Sequence, residues 1–125
     1  MFYHVQFGVG DYETSRAFFL RALEPLGVTV LAEGAPDEGI ELALPGSEAS
    51  LVLYQTDEVP ARLHLAFAAR DRGQVDAFYR AALEAGGTDN GAPGLRPEYS
   101  GRYYAAFVIG PDGHNVEAVC HEPEG

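Results

Sequence analysis

The sequence predicts an α+β fold assembled from two copies of a βαβββ unit. Two observations predict it: one segment recurs 60 residues further along, and each copy of it changes from strand-like alternation to helical spacing. With 125 residues, the chain is long enough for a hydrophobic core without disulfide or metal support. We predict a single domain over 1–125, with unit one at 1–56, unit two at 62–121 and the linker "TDEVPA" at 56–61.

The repeat aligns "HVQFGVGDYETSRAFFLRALEPLG" (4–27) with "HLAFAARDRGQVDAFYRAALEAGG" (64–87) without a gap. This agreement exceeds what a shared composition would produce, so we interpret the pair as a duplicated unit. The identical pairs are His4/His64, Phe7/Phe67, Asp11/Asp71, Ala17/Ala77, Phe18/Phe78, Ala22/Ala82, Leu23/Leu83, Glu24/Glu84 and Gly27/Gly87.

Each copy opens with a strand that leads into a helix. Val5, Phe7 and Val9 share one face of the first strand, and His4 lies on the opposite face with small or polar residues. Asp11 and Asp71 stand where a helix N-cap is needed, and Gln74 completes a pattern resembling a capping box. Gly and Pro residues near 25–27 and 86–87 predict the ends of both helices.

Three further strand candidates follow each helix. Unit one offers "VTVLAE" (28–33), "GIELALP" (39–45) and "ASLVLYQ" (49–55). Unit two offers a weak strand near Thr88, "RYYAAFVIG" (102–110) and "HNVEAVCH" (114–121). The Gly- and Pro-rich stretch 88–101 predicts a long loop of the kind that covers functional sites. The helices are expected on one side of mostly antiparallel sheets.

Composition and charge narrow the class of partner. The chain carries 19 acidic residues against eight basic ones, all arginine, and a net charge of −11 disfavours nucleic acid and anionic membranes. No apolar run is long enough for a membrane span. The single cysteine and the lack of a signal-like N-terminus favour a cytoplasmic location.

Glu117 raises the chemical question, because its carboxylate interrupts the apolar strand "HNVEAV". A buried carboxylate requires a partner, and His4 and His64 are candidates. Two imidazoles and a carboxylate can bind Zn²⁺, Fe²⁺, Mn²⁺ or Ni²⁺ with positions left open for substrate. Alternatively, Glu117 lies exposed on an edge strand or pairs with an arginine such as Arg102.

The paired βαβββ units, the strand-head histidines, "DYETSRAFF" and the closing "GPDGHNVEAV" together resemble the vicinal oxygen chelate superfamily, also called the glyoxalase/bleomycin resistance protein/dioxygenase family. The resemblance covers nearly the whole chain. It implies curved sheets around a cleft, one divalent metal held by His4, His64 and Glu117, and a homodimer. It also places a fourth ligand position near 51–53, where this sequence has only aliphatic residues. That departure argues against a true lactoylglutathione lyase, and the absence of lysine argues against the fosfomycin-modifying transferases.

Several other side chains are candidates for lining a cleft. Possible catalytic groups are Tyr54, Tyr103 and Tyr104, and possible substrate contacts are Tyr99, Tyr103, Phe107 and Arg96. Strand alternation allows only some of the aromatic residues in 103–107 to face one side. His114, beside a turn, and His121 are expected to be solvated.

The resulting hypothesis is a small-molecule metalloenzyme of lyase, isomerase or dioxygenase type, in which the metal polarises a substrate with neighbouring oxygens. One alternative is a metal-independent protein that binds a small molecule or an antibiotic. Another is a structural or regulatory relative with an occluded cleft.

Overall fold

The computed structural model describes residues 2–121 and contains the two predicted βαβββ units. The α+β fold class is therefore confirmed. In unit one the elements are β1 (His4–Val9), α1 (Tyr12–Leu23), β2 (Thr29–Glu33), β3 (Ile40–Ala43) and β4 (Ser50–Gln55). In unit two they are β5 (His64–Ala68), α2 (Arg72–Glu84), β6 (Thr88–Leu95), β7 (Tyr103–Ile109) and β8 (Asn115–His121).

Each unit forms its own four-stranded sheet with the same strand order, β1-β4-β3-β2 in unit one and β5-β8-β7-β6 in unit two. The first strand of each unit pairs in parallel with the last, and the remaining pairs are antiparallel. We call the sheet surface that carries His4 in unit one, and His64 in unit two, the open face. The opposite surface packs against the helices.

Both helices begin at the aspartates that the sequence indicates. The side chain of Asp11 accepts a hydrogen bond from the Thr14 amide at 3.1 Å, and Asp71 accepts one from the Gln74 amide at 2.8 Å. The Gln74 side chain reaches back to the Arg70 amide, one residue before the N-cap. Neither helix in the described range is long and apolar enough to cross a membrane.

The prediction of a long loop over 88–101 is wrong for most of that segment. Residues 88–95 form β6, which pairs with β7 and shifts register twice, around Gly91 and before Gly94. An edge strand tolerates Gly and Pro at such bulges, because few of its amides are needed by a neighbouring strand. Only the short turn between β6 and β7 remains as a loop.

The two units share one hydrophobic core that spans the helix-packed faces of both sheets. Phe18 of α1 packs into unit two, where a Cβ added at Gly110 or Gly87 would lie 2.9 or 3.0 Å from its ring. Arg21 of α1 also pairs with Glu84 of α2 at 2.6 Å. Helix contacts therefore set how the units are oriented within the chain, and the open faces of the sheets point away from this core.

Candidate functional site

Glu117 lies in the middle of the unit-two sheet, on its open face. β8 runs between β5 and β7, and Glu117 is in register with Ala66 on one side and Phe107 on the other. Only 1% of the residue is exposed. The alternative of an exposed carboxylate on an edge strand is therefore wrong, since β8 is an interior strand.

Both oxygens of the Glu117 carboxylate have partners. Oε1 lies 2.7 Å from Nε2 of His64, and Oε2 accepts a hydrogen bond from the hydroxyl of Tyr103. The proposed ion pair with Arg102 is not present, because Arg102 lies exposed at the turn before β7. These two contacts offset the cost of burying the carboxylate. The His64 side chain is 53% exposed, so the imidazole joins a buried acid to the surface of the open face.

Tyr103 acts at this site as a donor. Burial is the main cause that raises the pKa of Tyr103 to about 12, and the hydrogen bond to Glu117 adds to it. A phenol with that pKa stays protonated at neutral pH. Its geometry therefore suits holding the Glu117 carboxylate in place better than abstracting a proton from a substrate.

Aromatic side chains surround the His64–Glu117 pair. Tyr99, in the turn after β6, places its ring 4.8 Å from that of Tyr103. The Phe107 ring lies 6.1 Å from the His64 ring, and the Arg96 guanidinium sits over Phe107 at 5.4 Å. The structure thus brings all four predicted substrate contacts to the open face that carries the pair: Tyr99, Tyr103, Phe107 and Arg96.

Tyr104 does not belong to this face. It is in register with Cys120, on the side that packs against α2. Its hydroxyl donates to Asp76 at 2.7 Å, and the guanidinium of Arg72 lies 4.7 Å from its ring. The structure therefore places the candidate Tyr104 away from the His64–Glu117 pair, because neighbouring strand residues point to opposite faces and Tyr103 takes the open one.

His4 lies on the other sheet. It is exposed on the open face of unit one, where it is in register with Ser50. Within residues 2–121, no group of three or more His, Cys, Asp or Glu side chains is placed to hold a metal ion. Only His64 and Glu117 meet within one chain, and the three-ligand set stays a prediction.

The position in unit one that corresponds to Glu117 is Val52. Gln6 is in register with Val52 in the first sheet as Ala66 is with Glu117 in the second. The superfamily resemblance implies a fourth metal ligand at this place, and the chain has an aliphatic side chain there instead of a carboxylate. Tyr54 shares this open face, in register with Gly8, and lies in the opposite unit from His64.

His114 is a buried residue that the sequence argument placed in solvent. It is fully buried; its Nδ1 accepts a hydrogen bond from the Leu63 amide at 2.9 Å, and its ring packs edge-on against Phe7 at 5.2 Å. Burial lowers the pKa of His114, which keeps the imidazole neutral. A signal existed in the sequence, because His114 has the same strand parity as the core residues Val116 and Ala118.

The family model for the glyoxalase/bleomycin resistance protein/dioxygenase superfamily matches residues 2–118. The chain belongs to this superfamily. A glyoxalase/bleomycin resistance protein from Albidiferax ferrireducens T118 is 30% identical, with a TM-score of 0.78 over 98% of this chain and 99% of that one. Among functionally curated proteins, no sequence matches the chain.

Two other solved structures share the fold of this superfamily member at lower identity. The antibiotic-binding protein TnmS3 from Streptomyces sp. CB03234 is 24% identical, with a TM-score of 0.69 over 98% of this chain and 96% of that one. A glyoxalase/bleomycin resistance protein/dioxygenase family enzyme from Burkholderia phytofirmans PsJN is 14% identical, with a TM-score of 0.71 over 95% and 97%. The superfamily fold thus carries both enzymes and a binding protein.

The superfamily domain also contains an apolar cavity of about 250 Å³ between its two units. Its walls come chiefly from the helix-packed faces of both sheets, and neither His64 nor Glu117 lines it. Representative lining residues are Val5, Leu42, Leu51, Leu65 and Phe67. The cavity is therefore separate from the polar site on the open face of unit two.

Proposed function

We propose that this superfamily member is a metal-dependent enzyme acting on a small molecule, with His64 and Glu117 as two protein ligands of one divalent cation. The observation that carries the proposal is the 2.7 Å approach of a half-exposed imidazole to a buried carboxylate on an open sheet face. The ion is Zn²⁺, Fe²⁺, Mn²⁺ or Ni²⁺, since imidazole nitrogen and carboxylate oxygen suit all four.

The surroundings of Glu117 fit a metal ligand. Carboxylates that bind metals are commonly hydrogen-bonded by a neighbouring side chain, which fixes their orientation. Tyr103 fills that position on Oε2 and leaves Oε1 directed towards His64. His64 exposes about half of its side chain, so an ion or a substrate can approach the imidazole from the open face.

The third ligand in this proposal is His4 of a second copy of the chain. His4 is the repeat equivalent of His64 and is exposed on the open face of unit one. Since it does not meet His64 and Glu117 within one chain, the open face of unit one must approach the open face of unit two in another copy. A two-fold dimer satisfies this requirement twice, which gives two equivalent sites.

When bound, the metal would supply Lewis-acid polarisation to a substrate with neighbouring oxygens, which suits lyase, isomerase and dioxygenase reactions. The residues of this chain would orient that substrate. Tyr99 and Phe107 offer aromatic surface beside the pair, and Tyr103 keeps the buried carboxylate in place. Tyr54, on the open face of unit one, is the remaining tyrosine candidate for proton transfer, and only a second copy would bring it to the site.

A second candidate function is metal-independent binding of a small molecule, as in a resistance protein. The aromatic lining beside Glu117 favours it, because such surfaces bind flat apolar ligands without further chemistry. The antibiotic-binding protein TnmS3 has the same fold. In this case the His64–Glu117 contact is a structural pair, and His4→Ala leaves ligand affinity unchanged.

Elemental analysis distinguishes the two functions. We expect near-stoichiometric metal in the wild-type protein, after loading with each of the four ions if necessary, and loss of that metal in His64→Ala and in His4→Ala. His121→Ala is the matched control, since His121 is exposed on the same open face, against the Tyr103 ring, and is not one of the proposed ligands. A wild-type protein that cannot be loaded contradicts the proposal.

Mixing the two variants tests the shared site. In a dimer of one His4→Ala chain and one His64→Ala chain, one of the two sites keeps all its ligands and the other loses both histidines. After unfolding and refolding an equal mixture, metal content should recover to about a quarter of the wild-type value, since half of the dimers are mixed. A mixture that stays metal-free contradicts a site shared between copies.

A further inference from the structure

Arg96 lies over the aromatic ring that contacts His64. It follows the last residue of β6, and its guanidinium lies over the Phe107 ring with Cζ 5.4 Å from the ring centroid. Phe107 is the direct cross-strand neighbour of Glu117, and its ring also contacts His64. The Phe107 ring therefore lies between the guanidinium of Arg96 and the proposed metal ligands, His64 and Glu117.

The backbone of β6 makes room for this guanidinium. Nη2 of Arg96 donates to the Ala92 carbonyl at 2.7 Å. A Cβ at Gly91 would lie 3.1 Å from Nη2, and a Cβ at Gly94 would lie 3.1 Å from Nη1. These two glycines flank the second register shift of the strand. Side chains at these two positions would crowd the guanidinium, and the glycines of the β6 bulges leave it room.

Among the described residues, no acid neutralises the charge of Arg96. Within residues 2–121, Arg96 takes part in none of the ion pairs Arg16–Glu33, Arg21–Glu84 and His64–Glu117, and no carboxylate there bonds its guanidinium. This is notable in a protein of net charge −11, which repels anions over most of its surface. With one backbone bond well formed, the guanidinium keeps several N–H groups for a ligand.

We propose that Arg96 is a carboxylate-binding subsite, and that the ligands of this protein carry a carboxylate separated by one aromatic ring from the group that meets His64 and Glu117. This inference rests on the proposed function, which places the reacting end of the ligand at His64 and Glu117. The ring of the ligand would lie against Phe107 and Tyr99, and its carboxylate would receive N–H groups from Arg96 as a planar, charge-assisted pair.

The test compares two probes of equal shape that differ in charge: 3,4-dihydroxybenzoate and 3,4-dihydroxybenzamide, titrated by calorimetry into zinc-loaded protein. A charge-assisted hydrogen bond predicts that the wild-type protein prefers the acid by about tenfold. Arg96→Gln should remove the preference and leave amide affinity within about twofold. Arg80→Gln, an exposed arginine on α2, is the control and should behave as wild type.

Further titrations distinguish the proposed Arg96 subsite from the proposed metal site. If the protein takes up no metal, benzoate and benzamide titrated into the metal-free chain still report on the subsite, and an Arg96-dependent preference supports it while the metal proposal fails. If metal binds and the wild-type protein holds acid and amide equally, the subsite is overturned while the metal proposal stands.

Folding is checked by thermal unfolding of each variant. Arg96→Lys keeps the charge and should retain part of the preference, even if Arg96→Gln proves unstable. If both substitutions lower the melting temperature and neither alters the acid-to-amide ratio, then Arg96 only braces β6, and the inference is overturned.

Discussion

Substituting Tyr103 with phenylalanine tests the buried hydrogen bond at the centre of the site. The change keeps the ring between Tyr99 and His121 and removes only the hydroxyl that donates to Glu117. A hydrogen bond to a charged group contributes about 1.5–3 kcal/mol. Water replaces the lost donor poorly, because Glu117 is 1% exposed. We therefore expect the free energy of unfolding to fall by about 2 kcal/mol, which corresponds to a drop in Tm of about 8 °C for a chain of this size.

Urea unfolding followed by circular dichroism measures this loss, with Tyr54→Phe as the matched control. Tyr54 is also partly buried on an open sheet face, and its hydroxyl makes no hydrogen bond within the described residues. Its substitution should cost less than about 0.5 kcal/mol. A double-mutant cycle that combines Tyr103→Phe with Glu117→Gln should show coupling of about 1 kcal/mol or more. Equal costs for the two tyrosine variants, or a cycle without coupling, would refute the reasoning.

Two further predictions concern packing and pH. Gly87→Ala should destabilise the fold by about 1–3 kcal/mol, because its Cβ would lie 2.3 Å from Val108, whereas Gly101→Ala, which meets nothing within 4 Å, should be neutral in the same urea assay. Equal stability of the two glycine variants contradicts this. In an ultraviolet titration of the folded protein, three phenols should ionise near pH 12: Tyr12, Tyr103 and Tyr104. Because these folded-state pKa values exceed the unfolded value of 10.0, the protonated phenols stabilise the fold below pH 10, and this stabilisation is lost as the pH rises through 12. A single ionisation step near pH 10 for all the tyrosines of the folded protein would contradict the prediction.

Local rules were enough to predict most elements of the fold. The N-cap aspartates and the alternation of β1 and β5 depend on neighbours a few residues away, and the structure contains them as predicted. β6 was the exception. Its Gly and Pro residues indicate a loop by composition, yet pairing with β7 holds the segment as a bulged edge strand. Tertiary contacts outweigh weak local preference in such cases.

Alternation also predicted much of the candidate site. It assigned His4, and through the repeat its equivalent His64, to the face of small or polar residues, and it limited which aromatic residues of β7 could share a face with one another. It could not say whether Glu117 was buried, because burial depends on Tyr103 and Phe107 across the sheet. His114 was misjudged for a related reason: its turn suggested solvent, but the amide of Leu63, just before β5, and the ring of Phe7 enclose it.

The sequence by itself determined the two equivalent units, the strand face of His4 and of His64, and the lack of a carboxylate at Val52. Only the tertiary structure decided that His64 meets Glu117 while His4 remains apart on the other sheet. A repeat fixes equivalent positions within each unit but carries no information on how the units are oriented. That orientation follows from non-local packing, in which Phe18 lies against Gly87 and Gly110 and one shared core joins the helix-packed faces of both sheets, leaving the open faces outward.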